Sequence, residues 1–195
     1  MAKLYFRYGA INSGKTTSML QVAHNYEERG MHVVLIKRDI DTKGQDHIVS
    51  RLGVTRRVDN LVSETEDLFA LLKKYVSKDR LDAVLVDESQ FMTREQIDQL
   101  FRVATELNIP VICYGLRTDF QTKVFPGSAR LLEIAHSLEE LKTICECGKK
   151  AIFNARKVDG KYTKDGNQVA IDGEGETTYQ SLCGACYSKF VGSLN

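Results

Sequence analysis

Hydrophobic positions along this chain switch repeatedly between a period of two and a period of 3.6, and each switch marks a predicted element. Leu4, Phe6 and Tyr8 alternate with Lys3, Tyr5 and Arg7, which predicts a strand. Met19, Val22, Ala23 and Tyr26 then fall on one helical face, and Gly30 supplies a C-terminal stop. Val33-Val34-Leu35-Ile36 is a short continuous apolar run, the pattern of a strand buried on both faces. Residues 37–60 are polar and read as a long loop. Ser63-Glu64-Thr65-Glu66 has the form of a capping box, opening a helix through Leu68, Phe69, Leu72, Tyr75 and Val76. A second buried strand, Ala83-Val84-Leu85-Val86, ends at Asp87-Glu88. Thr93-Arg94-Glu95-Gln96 is another capping box, before a helix carrying Ile97, Leu100, Phe101, Ala104 and Leu107. Pro110 starts the next strand, through Val111-Ile112-Cys113-Tyr114, and Ser128 is placed to cap a helix through Leu131, Leu132, Ile134 and Ala135. Strands alternating with helices predict an α/β fold: a parallel sheet with helices on both faces, and ligands at the carboxyl ends of its strands.

That alternation stops near Leu141-Lys142-Thr143-Ile144, and from Cys145 the chain becomes rich in glycine and cysteine. We therefore expect a nucleotide-binding domain over residues 1–143 and a smaller module over 144–195. A chain of 195 residues is long enough to bury a sizeable core. Net charge is +1, and the basic residues form only short doublets such as Arg56-Arg57, Lys73-Lys74 and Lys149-Lys150. Without a basic stripe, a nucleic-acid partner is disfavoured. Met1-Ala2-Lys3 leads directly into a strand rather than a secretion signal, and no apolar run approaches the ~20 residues that span a bilayer. The expectation is a soluble cytoplasmic protein with no membrane partner.

The first predicted strand and helix are joined by Gly9-Ala10-Ile11-Asn12-Ser13-Gly14-Lys15-Thr16, which fits the phosphate-loop pattern Gly-x-x-x-x-Gly-Lys-Ser/Thr in its required strand-to-helix context. The loop curls its N–H groups toward phosphate oxygens, and the helix that follows adds the positive end of its dipole. Lys15 would hold the outer phosphates and Thr16 a magnesium ion. Asp87 and Glu88 end a buried strand, where a phosphate-loop protein places its magnesium-side aspartate. Asp87 is the expected metal partner, and Glu88 the expected general base for an attacking hydroxyl or water. An acidic doublet alone reads more simply as a solvated strand end, and the phosphate loop reverses that preference.

Cys145, Cys147, Cys183 and Cys186 form two close pairs, the arrangement of a closed four-thiolate zinc site, and such a site would be structural. The first pair is separated by one residue rather than the usual two or more. Cys113 falls inside a predicted buried strand and reads as a small apolar core residue. His24, His32, His47 and His136 show no ligand spacing among themselves.

A phosphate loop near the N-terminus, Asp87-Glu88-Ser89-Gln90-Phe91, Tyr114-Gly115-Leu116-Arg117-Thr118-Asp119-Phe120, Phe125-Pro126-Gly127-Ser128 and a terminal four-cysteine module together resemble the zinc-containing thymidine kinases, over nearly the whole chain. The resemblance implies transfer of the ATP terminal phosphate to the 5′-hydroxyl of thymidine by a homotetramer that dTTP inhibits. It implies that Gly9, Ala10, Ile11, Asn12, Ser13, Gly14, Lys15 and Thr16 bind ATP with Asp87, Glu88, Ser89 and Gln90, and that Glu88 is the catalytic base. Ile11, Phe91, Leu116, Phe120 and Phe125 correspond to positions around the nucleoside. Asp41, in Asp41-Thr42-Lys43, corresponds to an acidic position beside the active site. Val169 and Ile171 lie in the loop between the cysteine pairs that closes over the base and reads its edge through the backbone, and Tyr179 closes that pocket. The chain departs from the family pattern at Ile11, where methionine is usual, and at Asp172-Gly173, where Gly-Gly is common. From the residues themselves three other readings remain open: an ATPase that activates water, a switch with a zinc interaction module, and a nucleotide kinase with a zinc-bearing lid.

Overall fold

The computed structural model describes residues 1–40, 46–50, 53–168 and 176–193. In chain order these form β1 (Leu4–Tyr8), α1 (Lys15–Glu27), β2 (Val33–Arg38), β3 (His47–Val49), β4 (Thr55–Arg57), β5 (Asn60–Val62), α2 (Leu68–Lys78) and β6 (Ala83–Asp87). There follow α3 (Arg94–Glu106), β7 (Val111–Gly115), α4 (Pro126–Ile134), β8 (Ser137–Glu140), β9 (Thr143–Ile144), β10 (Lys150–Ala151), β11 (Phe153–Val158), β12 (Lys161–Thr163), β13 (Thr177–Leu182) and α5 (Gly184–Phe190).

Among the described residues, six parallel strands make one sheet in the order β5-β2-β6-β7-β1-β8. Alternate residues of each strand face opposite sides, and both sides are covered. Leu4, Phe6, Val34, Ile36, Val84 and Val86 pack against α2, α3 and α4 through Leu72, Ile97, Leu100 and Leu131. On the other side Val33, Leu35, Leu85 and Tyr114 meet Met19, Leu20 and Ala23 of α1, with Ile48 of the β3–β4 hairpin beside them. Each fully buried aliphatic side chain contributes roughly 1.5–3 kcal/mol, which explains why the central strands read as unbroken apolar runs.

Four local expectations are corrected. Residues 37–60 are not one loop: β3 and β4 form an antiparallel hairpin, and β5 begins at Asn60 to edge the sheet beside β2. α2 is capped by Asp67, whose side chain accepts the Ala70 N–H, and not by Ser63. The Gln96 amide donates to the carbonyls of both Ser63 and Glu66, and the Ser63 carbonyl also accepts the Glu66 N–H, so this stretch is a turn tied to α3 ahead of the helix. α4 starts at Pro126 after Phe125, so Ser128 lies inside the helix, where its hydroxyl donates to the Leu116 carbonyl. The strand series also continues one step further than the apolar pattern, since β8 pairs with β1 although only Leu138 within it is strongly apolar. The capping box at Thr93 and Gln96 does form, with both reciprocal bonds.

Beyond β8 a separate small core of Cys145, Ala151, Ala155, Leu182, Cys183 and Tyr187 gathers between the three-stranded sheet β12-β11-β13 and α5. This module rests on the parallel-sheet domain. The Tyr187 hydroxyl donates to the Phe120 carbonyl, and Asn154 accepts the Ile11 N–H while donating to the Thr118 carbonyl.

Candidate active site

β1 ends at Tyr8 and its chain turns over Gly9–Thr16 into α1. Asn12 and Gly14 take left-handed conformations, with φ of 70° and 77°, and fold the loop tightly before the helix. Gly14 sits at the helix N-cap and offers no side-chain cap, and a helix start of this kind favours an anion. Gly9 is required by contact: a Cβ there would lie 2.3 Å from Ser13 Oγ and 2.5 Å from the Leu141 carbonyl oxygen. The Lys15 ammonium curls back to donate to Ala10 O at 2.9 Å and to Ser13 Oγ. Residues Ile11 to Thr17 line a cavity of about 250 Å³, with Val49, Glu88 and Leu116 on its other side.

Asp87 terminates β6 and is buried. Burial first, and then the neighbouring charge of Glu88, push its carboxyl up to about 7, while Lys37 and Lys15 pull the other way. Lys37 stands opposite Asp87 in the β2–β6 register. Glu88 then leaves the strand in a left-handed conformation, φ 49°, which is uncommon for a residue with a side chain. The 3-10 turn Ser89–Phe91 follows, locked by its neighbours. Ser89 donates to the Tyr114 carbonyl, and Gln90 donates to the Glu88 carboxylate while accepting the Leu116 N–H. A Cβ on Gly127 would fall 2.3 Å from the Ser89 carbonyl oxygen, so α4 can approach this turn only as glycine. Through these contacts Tyr114, Leu116 and Gly127 hold the turn that follows Glu88.

A second cavity, of about 370 Å³, opens on the other side of that turn. Its walls are Ile11, Glu88, Phe91, Leu116, Phe120, Phe125 and Tyr179, with Gln90, Asp119, Asn154 and Gln168 as its polar members. Phe91 and Phe125 meet edge to face at 5.4 Å. Ile11, Glu88 and Leu116 line both cavities, so one carboxylate stands between the phosphate loop and an apolar pocket. Asp41, Val169, Ile171 and Asp172 lie outside the described residues.

Asn154, Gln168, Asp119 and Arg156 were not singled out by sequence pattern. Asn154 and Arg156 are polar side chains buried on a strand of the smaller module, in contact with Ile11 and Phe120 respectively, far earlier in the chain. No periodicity or spacing signals such a contact.

The four sulfur atoms of Cys145, Cys147, Cys183 and Cys186 lie within 4.8 Å of one another. Cys145 and Cys147 are brought together by a turn in which Gly148, at φ 82°, donates its N–H to the Cys145 carbonyl. Cys183 caps α5, its sulfur accepting the Cys186 N–H. Zinc–sulfur bonds of about 2.3 Å in a tetrahedron need sulfur separations near this range, and the cluster is compatible with a zinc ion bound by all four. Cys113 stands apart, fully buried in β7, where burial raises its thiol pKa.

Sheet, phosphate loop and paired cavities define a phosphate-loop α/β protein with a small-molecule pocket at the carboxyl edge of its strands. The chain belongs to the thymidine kinase family, whose model, described as "Thymidine kinase", matches residues 2–187. Similar proteins named "Thymidine kinase" include one from Chromobacterium violaceum, 48% identical over 191 residues, covering 96% of this chain and 98% of that protein. One from Enterobacteria phage T4 is 46% identical over 196 residues and covers all of both. Another, from Francisella tularensis subsp. tularensis, is 45% identical over 188 residues, 94% of this chain and 95% of its own length. A solved structure, "Crystal structure of Bacteroides Pif1 bound to ssDNA", matches 72% of this chain and 38% of its own with 14% identity and a TM-score of 0.35. Among the described residues no helix is long and apolar enough to cross a membrane.

Proposed function

We propose that this protein transfers the terminal phosphate of ATP to the 5′-hydroxyl of thymidine, giving dTMP and ADP. The observation that supports this most is the position of Glu88 on the wall of both cavities. ATP phosphates lie along Gly9–Thr16, with Lys15 against the outer ones, and Asp87, Glu88, Ser89 and Gln90 complete the nucleotide side. Thymidine occupies the apolar cavity among Ile11, Phe91, Leu116, Phe120, Phe125 and Tyr179, assisted by Asp41, Val169 and Ile171. Its 5′ oxygen bonds to the γ-phosphorus as the bond to the β,γ-bridging oxygen breaks, and the hydroxyl proton passes to Glu88. A magnesium ion held by Thr16 and Asp87 would neutralise phosphate charge. A water-activating ATPase has no use for an apolar cavity opening on the same carboxylate, and such a cavity keeps water from the phosphoryl group.

The same reading divides the chain into a nucleotide-binding domain, residues 1–143, and a zinc-binding, nucleoside-covering module, residues 144–195. It assigns dTTP as the feedback inhibitor and a homotetramer as the working assembly, in the cytoplasm.

A nucleoside panel tests the acceptor. With ATP and magnesium, thymidine and deoxyuridine are phosphorylated and deoxycytidine is rejected, because its amino group and unprotonated N3 reverse the donor and acceptor pattern of the thymine edge. Buried hydrogen-bonding groups left without partners make such discrimination strong. Deoxycytidine turned over as efficiently as thymidine, or phosphorylation confined to nucleoside monophosphates, would contradict the assignment.

A further inference from the structure

Arg156 of β11 is a buried cation, 2% exposed, in contact with two residues that line the apolar cavity, Phe120 and Tyr179. Its Nε and Nη2 both donate to the Tyr179 hydroxyl oxygen, at 3.1 and 2.9 Å, and Nη2 also donates to the Asn167 carbonyl at 2.8 Å. The guanidinium carbon stands 3.8 Å from the centre of the Phe120 ring. A Cβ on Gly166 would lie 2.7 Å from Nη1, so the backbone passes close over the group. Among the described residues no carboxylate forms an ion pair with it. The guanidinium is a rigid planar fork, able to stack on one ring while its edge donates to a second group, and a lysine ammonium cannot reproduce that.

Phe120 and Tyr179 are both walls of the cavity. They come from distant parts of the chain, one after β7 and one on β13, and Arg156 touches both. We propose that Arg156 is the positioning residue for the nucleoside, setting Phe120 and Tyr179 relative to each other and fastening Asn167 beside them. It touches neither the phosphate-loop cavity nor Glu88, so its contribution belongs to nucleoside binding and not to the chemical step. The inference rests on the kinase reading above.

The test is steady-state kinetics of Arg156→Met, Arg156→Lys, Tyr179→Phe and the double variant Arg156→Met/Tyr179→Phe, with thymidine and ATP varied separately. Loss of charge-assisted hydrogen bonds of this kind is worth about 10- to 100-fold in affinity. We expect Arg156→Met to raise the thymidine KM by that amount, with kcat within about threefold of the parent and the ATP KM unchanged. Arg156→Lys should recover only part of the loss. Tyr179→Phe keeps the ring and removes the acceptor, so it should raise the thymidine KM less, and the double variant should be no worse than Arg156→Met alone. Should Arg156→Met fail to fold, as judged by its melting transition and zinc content, Arg156→Lys and Tyr179→Phe still decide the matter. A parental thymidine KM in both of these would overturn the proposal, as would additive effects in the double variant. Parallel changes in kcat and in both KM values would mark a general structural role and would also overturn it. A parent protein that phosphorylates no nucleoside fails the functional reading instead, which separates the two failures.

Discussion

Glu88→Gln is expected to lower phosphoryl transfer about 100- to 10,000-fold, the usual worth of a general base, while ATP binds with nearly parental affinity. Glutamine has the same shape but cannot accept the hydroxyl proton. The local structure has little reason to change. Gln90 donates to the Glu88 carboxylate, and a glutamine oxygen at position 88 can take the same bond. The left-handed backbone at 88 costs glutamine much what it costs glutamate. On the proposed reading nucleotide affinity rests mainly on the loop Gly9–Thr16, whose close packing through Gly9 and Ser13 does not involve Glu88, and a glutamine at 88 keeps its place on the nucleotide side. Single-turnover measurements at saturating thymidine separate chemistry from binding. Turnover retained within a fewfold of the parent would remove Glu88 from the mechanism.

Cys183→Ser has the second large expected effect, and it falls on a different part of the molecule. Metal binding supplies roughly 10 to 16 kcal/mol of apparent folding energy in small zinc peptides, and a serine hydroxyl is a poor replacement for a thiolate. Cys183 is buried, caps α5 and belongs to the small core with Leu182 and Tyr187. The parent should contain one zinc per chain and the variant less. Hydrogen exchange should quicken in β11, β12 and β13, while the parallel sheet stays protected, because its two cores share no residue with the small one. The damage should reach the thymidine side through Tyr187, whose hydroxyl holds the Phe120 carbonyl, and through Asn154, which holds Ile11 and Thr118. A parent protein purified under reducing conditions without zinc would remove the metal assignment.

The contrast between these sites explains what could be read from residue order. β1, α1, β2, β6, α3 and β7 are legible because each is driven by burial, and burial writes a period into the sequence. β5 and β8 are not, since short edge strands need few apolar residues and are recruited by neighbours already in place. The start of α2 shows the same limit: Ser63 to Glu66 carries a capping pattern, but Gln96 from α3 claims its carbonyls, and Asp67 caps instead. At the site, Gly9–Thr16 and the Asp87-Glu88 strand end are local backbone devices, so spacing reveals them. Asn154 and Arg156 act only after two distant stretches of chain have met, and nothing in their neighbourhood announces it. The purpose of Gly127 likewise becomes visible only when α4 lies against the Ser89 carbonyl.

Glu88 is expected to deliver an acceptor hydroxyl, not water, to a phosphate held by the loop Gly9–Thr16. The most direct measurement is identification of the product by mass spectrometry when the purified protein is given ATP, magnesium and thymidine, with ADP quantified in the same reaction. We expect one dTMP for each ADP and little ADP when thymidine is omitted. ADP released without dTMP, or released only when DNA is added, would contradict the account.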